Sequence, residues 1–244
     1  MFCVGCCGAS ILSLPRRAGN FSFDDLHGEA MRPHIADNEA ARAALDYMHR
    51  LLDISPPGIL EHDWNRSLNC FLDGHASMIY VWSMRAARFE NDIRSAVKRR
   101  VEYLAEPAGP GGRSISPLGG FLLAIPANLS EERAMDAFEA ISWMVSPGAM
   151  KAHARNGFPV APRFSVSGDP EVAGSSPIVQ FVDRLARRDQ LQAWQRPPVP
   201  EYTQIESILG EEVHDALAGI KSDTQALLAA QQRIDTLMRA AGYY

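Results

Sequence analysis

The chain has 244 residues, 46% hydrophobic and 22% charged, enough apolar sequence for a substantial core and unlike a disordered or fibrous protein. Its net charge is −5, with Lys and Arg interspersed among Asp and Glu, so no basic stripe is available to track a phosphate backbone and nucleic acid is excluded as the expected partner. No window approaches the roughly 18 to 20 continuous apolar residues of a membrane helix.

Met1 to Leu14 is apolar, but it lacks a basic start and is broken by Gly5, Gly8 and Ser10, so it is not read as an export signal. Cys3, Cys6 and Cys7 crowd the N-terminus, while Cys70 sits in an apolar helical stretch. That spacing is no disulfide framework, and Cys3-x-x-Cys6 lacks the second ligand pair of a zinc site. Residues 1–19 are therefore expected to be a frayed, atypical N-terminus, and Cys70 a small buried hydrophobe.

From Asp37, a candidate cap, Ala41, Leu45, Met48 and Leu52 recur at helical spacing until Pro56-Pro57-Gly58 stops them. Trp64 to Asp73 predicts a second helix, with Gly74 in the left-handed position after it. Ala76 to Trp82 reads as a buried strand, Ser83 to Arg99 as helix, and Val101 to Leu104 as a further strand. The Lys98-Arg99-Arg100 run is a solvated turn, and Ala108 to Gly112 is loop.

Gly119-Gly120 opens the apolar run Phe121 to Ile125, which predicts a strand. Asn128 with Glu131 signals a helix start, with Ala134, Phe138, Ile141 and Val145 as its stripe. Pro147 begins a short helix ending near Gly157, Phe158 to Pro170 is an irregular crossing, and Ile178 to Leu191 is amphipathic. After the stiff Arg196 to Pro200 segment, one helix carries Ile205, Leu209, Val213 and Leu217. The last opens on a capping box of Ser222 and Gln225 and carries Leu227, Ile234 and Leu237. Strands alternating with covering helices predict α/β layers.

Catalytic signatures are missing. There is no Gly-x-Ser-x-Gly elbow, no Gly-x-Gly-x-x-Gly after a strand and no P-loop. The seven histidines lack the helical pairing of a zinc hydrolase, and Glu131-Glu132 and Glu211-Glu212 lie on polar helix faces. No catalytic residue, metal or cofactor is expected.

Several stretches in order resemble the C-terminal part of family 1 extracellular solute-binding proteins, particularly those of carbohydrate importers. They are Phe71-x-x-Gly74-x-Ala76-x-Met78, Gly119-Gly120 through Ile125-Pro126, Ala137-Phe138 and Trp143 leading into Ser146-Pro147, Gly157-Phe158-Pro159-Val160-Ala161-Pro162-Arg163, and a closing helix pair ending Gly242-Tyr243-Tyr244. The resemblance runs from about residue 20 to the C-terminus. It implies an α/β, type II periplasmic-binding-protein-like two-lobe architecture with the N-terminal half missing. Residues 20–118 and 163–244 then form the C-terminal lobe, and 119–162 is a remnant of the N-terminal lobe.

What the resemblance implies functionally is a monomer in the periplasm or outside the cell that binds a small carbohydrate between hinged lobes and delivers it to ABC permease subunits. Trp82 is expected either to stack its indole on a sugar face or to be a core residue. Gly119 and Gly120 either let the backbone approach a hydroxyl or make a plain turn. Arg163 either donates to sugar oxygens or braces the crossing. Tyr202 is placed to offer a hydroxyl. The competing readings are a truncated fragment without a working cleft and an unrelated α/β enzyme.

Overall fold

The computed structural model describes residues 31–107, 114–117, 122–159, 161–190, 192–194 and 199–244. In chain order the elements are α1 (Glu39–Asp53), α2 (Trp64–Leu72), α3 (Ala87–Asn91), β1 (Ile115–Pro117), α4 (Glu131–Met144) and α5 (Pro147–Arg155). There follow α6 (Phe164–Ser167), α7 (Pro170–Ser175), α8 (Pro177–Arg187), β2 (Gln192–Trp194), α9 (Tyr202–Leu217) and α10 (Asp223–Ala240). The chain divides into two compact units. Unit 1 gathers the described residues up to Phe71, His75–Tyr80 and those from Ala193 onward; unit 2 takes Leu72–Gly74 and Val81–Gln192.

Unit 1 is a helical core in which α9 and α10 pack together and α1 packs on both. The expected stripes supply the contact: Ala41, Leu45 and Met48 from α1, Ile205, Leu209 and Val213 from α9, and Leu227, Ile234 and Met238 from α10 are all buried. Leu45 and Leu209 are 0% exposed. Asn38, rather than the expected Asp37, caps α1, its side-chain oxygen accepting from Ala40 N at 2.9 Å. The capping box of α10 forms as read, with Ser222 Oγ accepting from Gln225 N and Gln225 Oε1 accepting from Ser222 N. Gln231 Oε1 accepts from Ile35 N and Ala36 N, each at 2.9 Å, tying the approach to α1 onto α10.

The α9–α10 pair encloses a charge. Glu212, only 3% exposed, accepts from Lys221 Nζ and from Arg233 Nη1 at 2.8 Å. Burial works to raise its carboxyl, but the hydrogen bonds and charges of Lys221 and Arg233 outweigh burial and hold it below the ordinary value of 4.5. At the chain's end, Tyr244 donates to Asp235 Oδ1 at 3.1 Å. Burial and that carboxylate push the Tyr244 phenol up to about 12.

Unit 2 holds α5, α6, α7 and α8 around Ala154, Val166, Val172 and Val179. Ion pairs Lys151–Asp169 and Arg155–Glu171 link α5 to the start of α7. Phe89 stacks on Tyr103, which in turn meets Phe181, with ring centroids 6.4 Å apart in each pair.

Three expectations fail here. The runs Ala76–Trp82, Val101–Leu104 and, in its described part, Leu122–Ile125 form no strands; β1 and β2, three residues each, are the strands among the described residues. Met78, Leu104 and Leu122 are 75%, 83% and 95% exposed rather than buried. The α/β layers are thus not assembled among these residues. A helix closes its hydrogen bonds within itself, whereas a strand depends on a ladder with a neighbour.

The helix expected over Ser83–Arg99 also breaks, leaving a 3-10 turn at Ser83–Arg85, α3, and turns beyond it. The side chain of Asp92 accepts from Arg94 N at 3.0 Å and that of Ser95 donates to Phe89 O at 2.7 Å, both competing with helical bonds. Finally, α4 forms with Ser130 as its cap, instead of Asn128, and none of its residues is buried. The expected loop Ala108–Gly112 and the N-terminal cysteines lie outside the described residues, except that Cys70 is a half-buried free thiol.

Leu209→Ala, which empties the centre of the α9 contact, is expected to cost about 2–5 kcal/mol in urea denaturation. Glu212→Gln is expected to lower stability at pH 7. Because the folded carboxyl is depressed, its contribution is present above the unfolded value and is lost as pH falls through the folded one. The gap between parent and variant in urea midpoints should therefore close as pH falls below the ordinary carboxyl value of 4.5 and through the depressed folded one.

Candidate functional site

Trp82 opens the 3-10 turn Ser83–Arg85, in extended backbone with its carbonyl accepting from Arg85 N at 2.8 Å. Its side chain is 49% exposed, and Met84 two residues on is 42% exposed. The indole is therefore not a sealed core residue. Part of this large aromatic side chain is thus open to solvent.

Arg163 sits at the entry to α6, exposed, and its Nε donates to Val145 O at 3.1 Å. That bond caps the C-terminal end of α4 and fixes the crossing between α5 and α6. Gly157, the first residue of the same 157–163 stretch, has φ +87°, and a Cβ there would stand 2.6 Å from Asn91 Nδ2. The motif's glycine is thus set by backbone conformation and by the close approach of Asn91.

Tyr202 is the first residue of α9 and is 9% exposed, with its ring in the core of unit 1. Gly119 and Gly120 lie outside the described residues. The described candidates thus divide between the units, Trp82 and Arg163 in unit 2 and Tyr202 in unit 1.

Sequence reasoning missed two polar features of unit 1: Glu212, expected on a polar helix face, is buried and ion-paired, and two tyrosines meet. Tyr47 on α1 and Tyr80 bring their hydroxyls within 2.9 Å of each other at the surface. The two are distant in sequence, and no spacing rule links them; the available hint was that Tyr47 falls two residues from Leu45, on the far side of the α1 stripe.

Asp183 accepts from Ser167 Oγ at 2.6 Å and Arg187 Nε at 2.7 Å, and these partners hold its carboxyl below the usual carboxylate range. Arg187 also lies over the Phe164 ring, 5.2 Å from its centroid. Among the described residues, no group of three or more His, Cys, Asp or Glu side chains is arranged to hold a metal ion. None of their helices is long and apolar enough to cross a membrane.

Gly157→Ala is expected to destabilise the chain by about 1–2 kcal/mol in thermal unfolding, since a Cβ is strained at that positive φ.

A profile of the bacterial extracellular solute-binding protein family matches residues 18–151. The mannitol-binding protein of Pseudomonas aeruginosa is 29% identical over 230 residues, which cover 88% of this chain and 52% of that protein. A probable amino-acid ABC transporter periplasmic-binding protein of Sinorhizobium fredii is 26% identical over 226 residues, covering 91% of this chain and 49% of the relative. Among solved structures, an ABC transporter solute-binding protein from Agrobacterium radiobacter, in complex with ribitol, is similar with a TM-score of 0.73 and 26% identity. The match covers 87% of this chain and 53% of that one. The chain spans about half the length of the curated relatives it matches. With the family profile extending over more than half of its residues, this chain belongs to the bacterial extracellular solute-binding proteins.

Proposed function

We propose that the chain is the C-terminal part of a carbohydrate- or polyol-binding protein serving an ABC importer in the periplasm or outside the cell. In this reading, 20–118 and 163–244 belong to the C-terminal lobe and 119–162 to the N-terminal lobe. The lobes close on a small solute and present it to the permease subunits, the binding protein acting as a monomer and without catalysis. Trp82 stacks on the ligand, Gly119 and Gly120 admit it close to the backbone, and Arg163 is placed beside it; Tyr202, whose ring lies in the core of unit 1, is left out of the site.

The half-exposed indole of Trp82 carries this reading. A large aromatic left open at 49% exposure buries apolar area when a ligand covers it, and its ring plane matches the apolar face of a sugar or an extended polyol. Two of the similar proteins are named for, or solved with, such compounds, mannitol and ribitol. A second reading, a fragment with no working cleft, is favoured by the half-length match and by open apolar residues such as Leu104 and Leu122.

Titrating the 244-residue chain with mannitol, ribitol and maltose, and with amino acids as the contrasting class, separates these readings. Binding should raise the melting temperature, with about 2.7 kcal/mol of stabilisation at a ligand concentration one hundred times Kd. Trp82→Ala should weaken polyol affinity roughly 30-fold, equivalent to about 2 kcal/mol, while changing the ligand-free melting temperature little. A response to amino acids alone reassigns the ligand class, and no response to any of them leaves the fragment reading standing.

A further inference from the structure

The turn that follows α3 is positively charged in an acidic chain. Residues 88–100 carry five cations, Arg88, Arg94, Lys98, Arg99 and Arg100, against the two carboxylates Glu90 and Asp92, a net of +3 (5 − 2). The chain as a whole carries −5, so its other residues total −8 (−5 − 3). Asp92 is matched by Arg88 at 2.7 Å and, more loosely, by Arg94 at 3.6 Å. Arg94, Lys98, Arg99 and Arg100 are all exposed, and among the described residues the side chains of Lys98, Arg99 and Arg100 form no ion pair.

The backbone holds that charge in a fixed place. Glu90 reaches from α3 to accept from Arg99 N, at 3.1 Å through Oε1 and 3.2 Å through Oε2, so the two ends of the turn meet. Arg99 is held at φ +59°, a left-handed conformation uncommon for a residue with a Cβ. Ala96 N donates to Leu72 O at 2.8 Å and Ser95 Oγ to Phe89 O at 2.7 Å, tying the middle of the turn to α2 and α3. Beside Arg94, Ile93 is 98% exposed, more than any other large hydrophobic side chain among the described residues. An apolar side chain projecting from a group of exposed cations is the combination by which a protein surface engages a lipid interface, the cations meeting phosphates and the apolar group leaving water.

We propose that the turn over residues 92–100 is a docking point for an anionic phospholipid surface. Arg94, Lys98, Arg99 and Arg100 pair with headgroup phosphates, and Ile93 enters the boundary between headgroups and acyl chains. Size and charge together select this partner. A specific protein interface draws on about 20–30 residues a side, whereas a lipid surface rewards each cation of a single turn separately, by about fivefold in partitioning apiece. The −8 on the rest of the chain is repelled by the same surface, so the turn is the face that approaches it. The inference is independent of which solute is bound.

Sedimentation of the 244-residue chain with phosphatidylcholine vesicles, made with and without phosphatidylglycerol, tests this. Binding is expected only where phosphatidylglycerol is present, and it should fall away between about 0.1 M and about 1 M salt, as the Debye length shrinks from ~10 Å to ~3 Å. Lys98→Gln with Arg100→Gln should lower partitioning roughly 25-fold, and Ile93→Ser about tenfold. These side chains are exposed and the bonds that shape the turn are made by the backbone and by Glu90 and Ser95, so circular dichroism should show the variants folded. Arg42→Gln with Arg50→Gln removes the same charge from exposed positions on α1 and should leave partitioning unchanged. Equal binding to both kinds of vesicle overturns the proposal, as do no binding to either, partitioning that survives Lys98→Gln with Arg100→Gln, and an equal loss in the α1 variant. Capture by polyglutamate without capture by vesicles overturns it in favour of an acidic protein partner. Polyol binding is read separately from the solute titration, and neither outcome there alters the vesicle result.

Discussion

Packing of α9 against α10 organises unit 1, and the burial of Glu212 inside that pair makes it exacting. A carboxylate cannot be taken out of water without compensation, and here Lys221 and Arg233 provide it from the turn after α9 and from the middle of α10. The pair is therefore specified twice, by the apolar contact of Leu209, Val213, Leu227 and Ile234 and by a charge that is satisfied in one register of the two helices. Removing an apolar partner leaves a cavity, whereas removing a cation leaves a buried charge without its counterion. α1 and the segment before it then add to a surface that is already fixed, through His49 to Asp223 and through Gln231 to Ile35 and Ala36.

Unit 2 follows a different logic. Its helices α5 to α8 are short and small-residue packed, and the ion pairs at Lys151–Asp169 and Arg155–Glu171 supplement a modest apolar core. Gly157 and Arg163 define the turn and brace of this region, one through its positive φ and the other through its bond to Val145 O. The same unit holds the open helix α4 and the open run at 122–125, so its apolar sequence exceeds what its described residues cover.

Of the candidate site, Trp82 was legible as an aromatic, but its exposure was not, because an indole in an apolar run reads equally as core. Arg163 was legible through its motif, and the alternative of bracing has a visible counterpart in its bond to Val145 O. Tyr202 follows a proline-rich approach that suggested an open position, yet the helix phase of α9 turns its ring toward the core shared with Ile205 and Leu209. The Tyr47–Tyr80 hydroxyl pair left no trace in sequence, since it depends on how α1 lies against a distant segment.

The sequence by itself determined the α1, α9 and α10 stripes, the Ser222–Gln225 box, and the stops at Gly74, Gly157 and Gly219, these glycines all with positive φ. These features are local, because a helix meets its hydrogen-bond needs within a few residues and its cap within three. Tertiary structure alone decided which apolar runs became buried, where Glu212 found its counterions, and that α4 and residues 122–125 stayed uncovered. Those outcomes depend on segments far apart in the chain, and a strand's stability resides in a neighbour that periodicity within the run does not reveal.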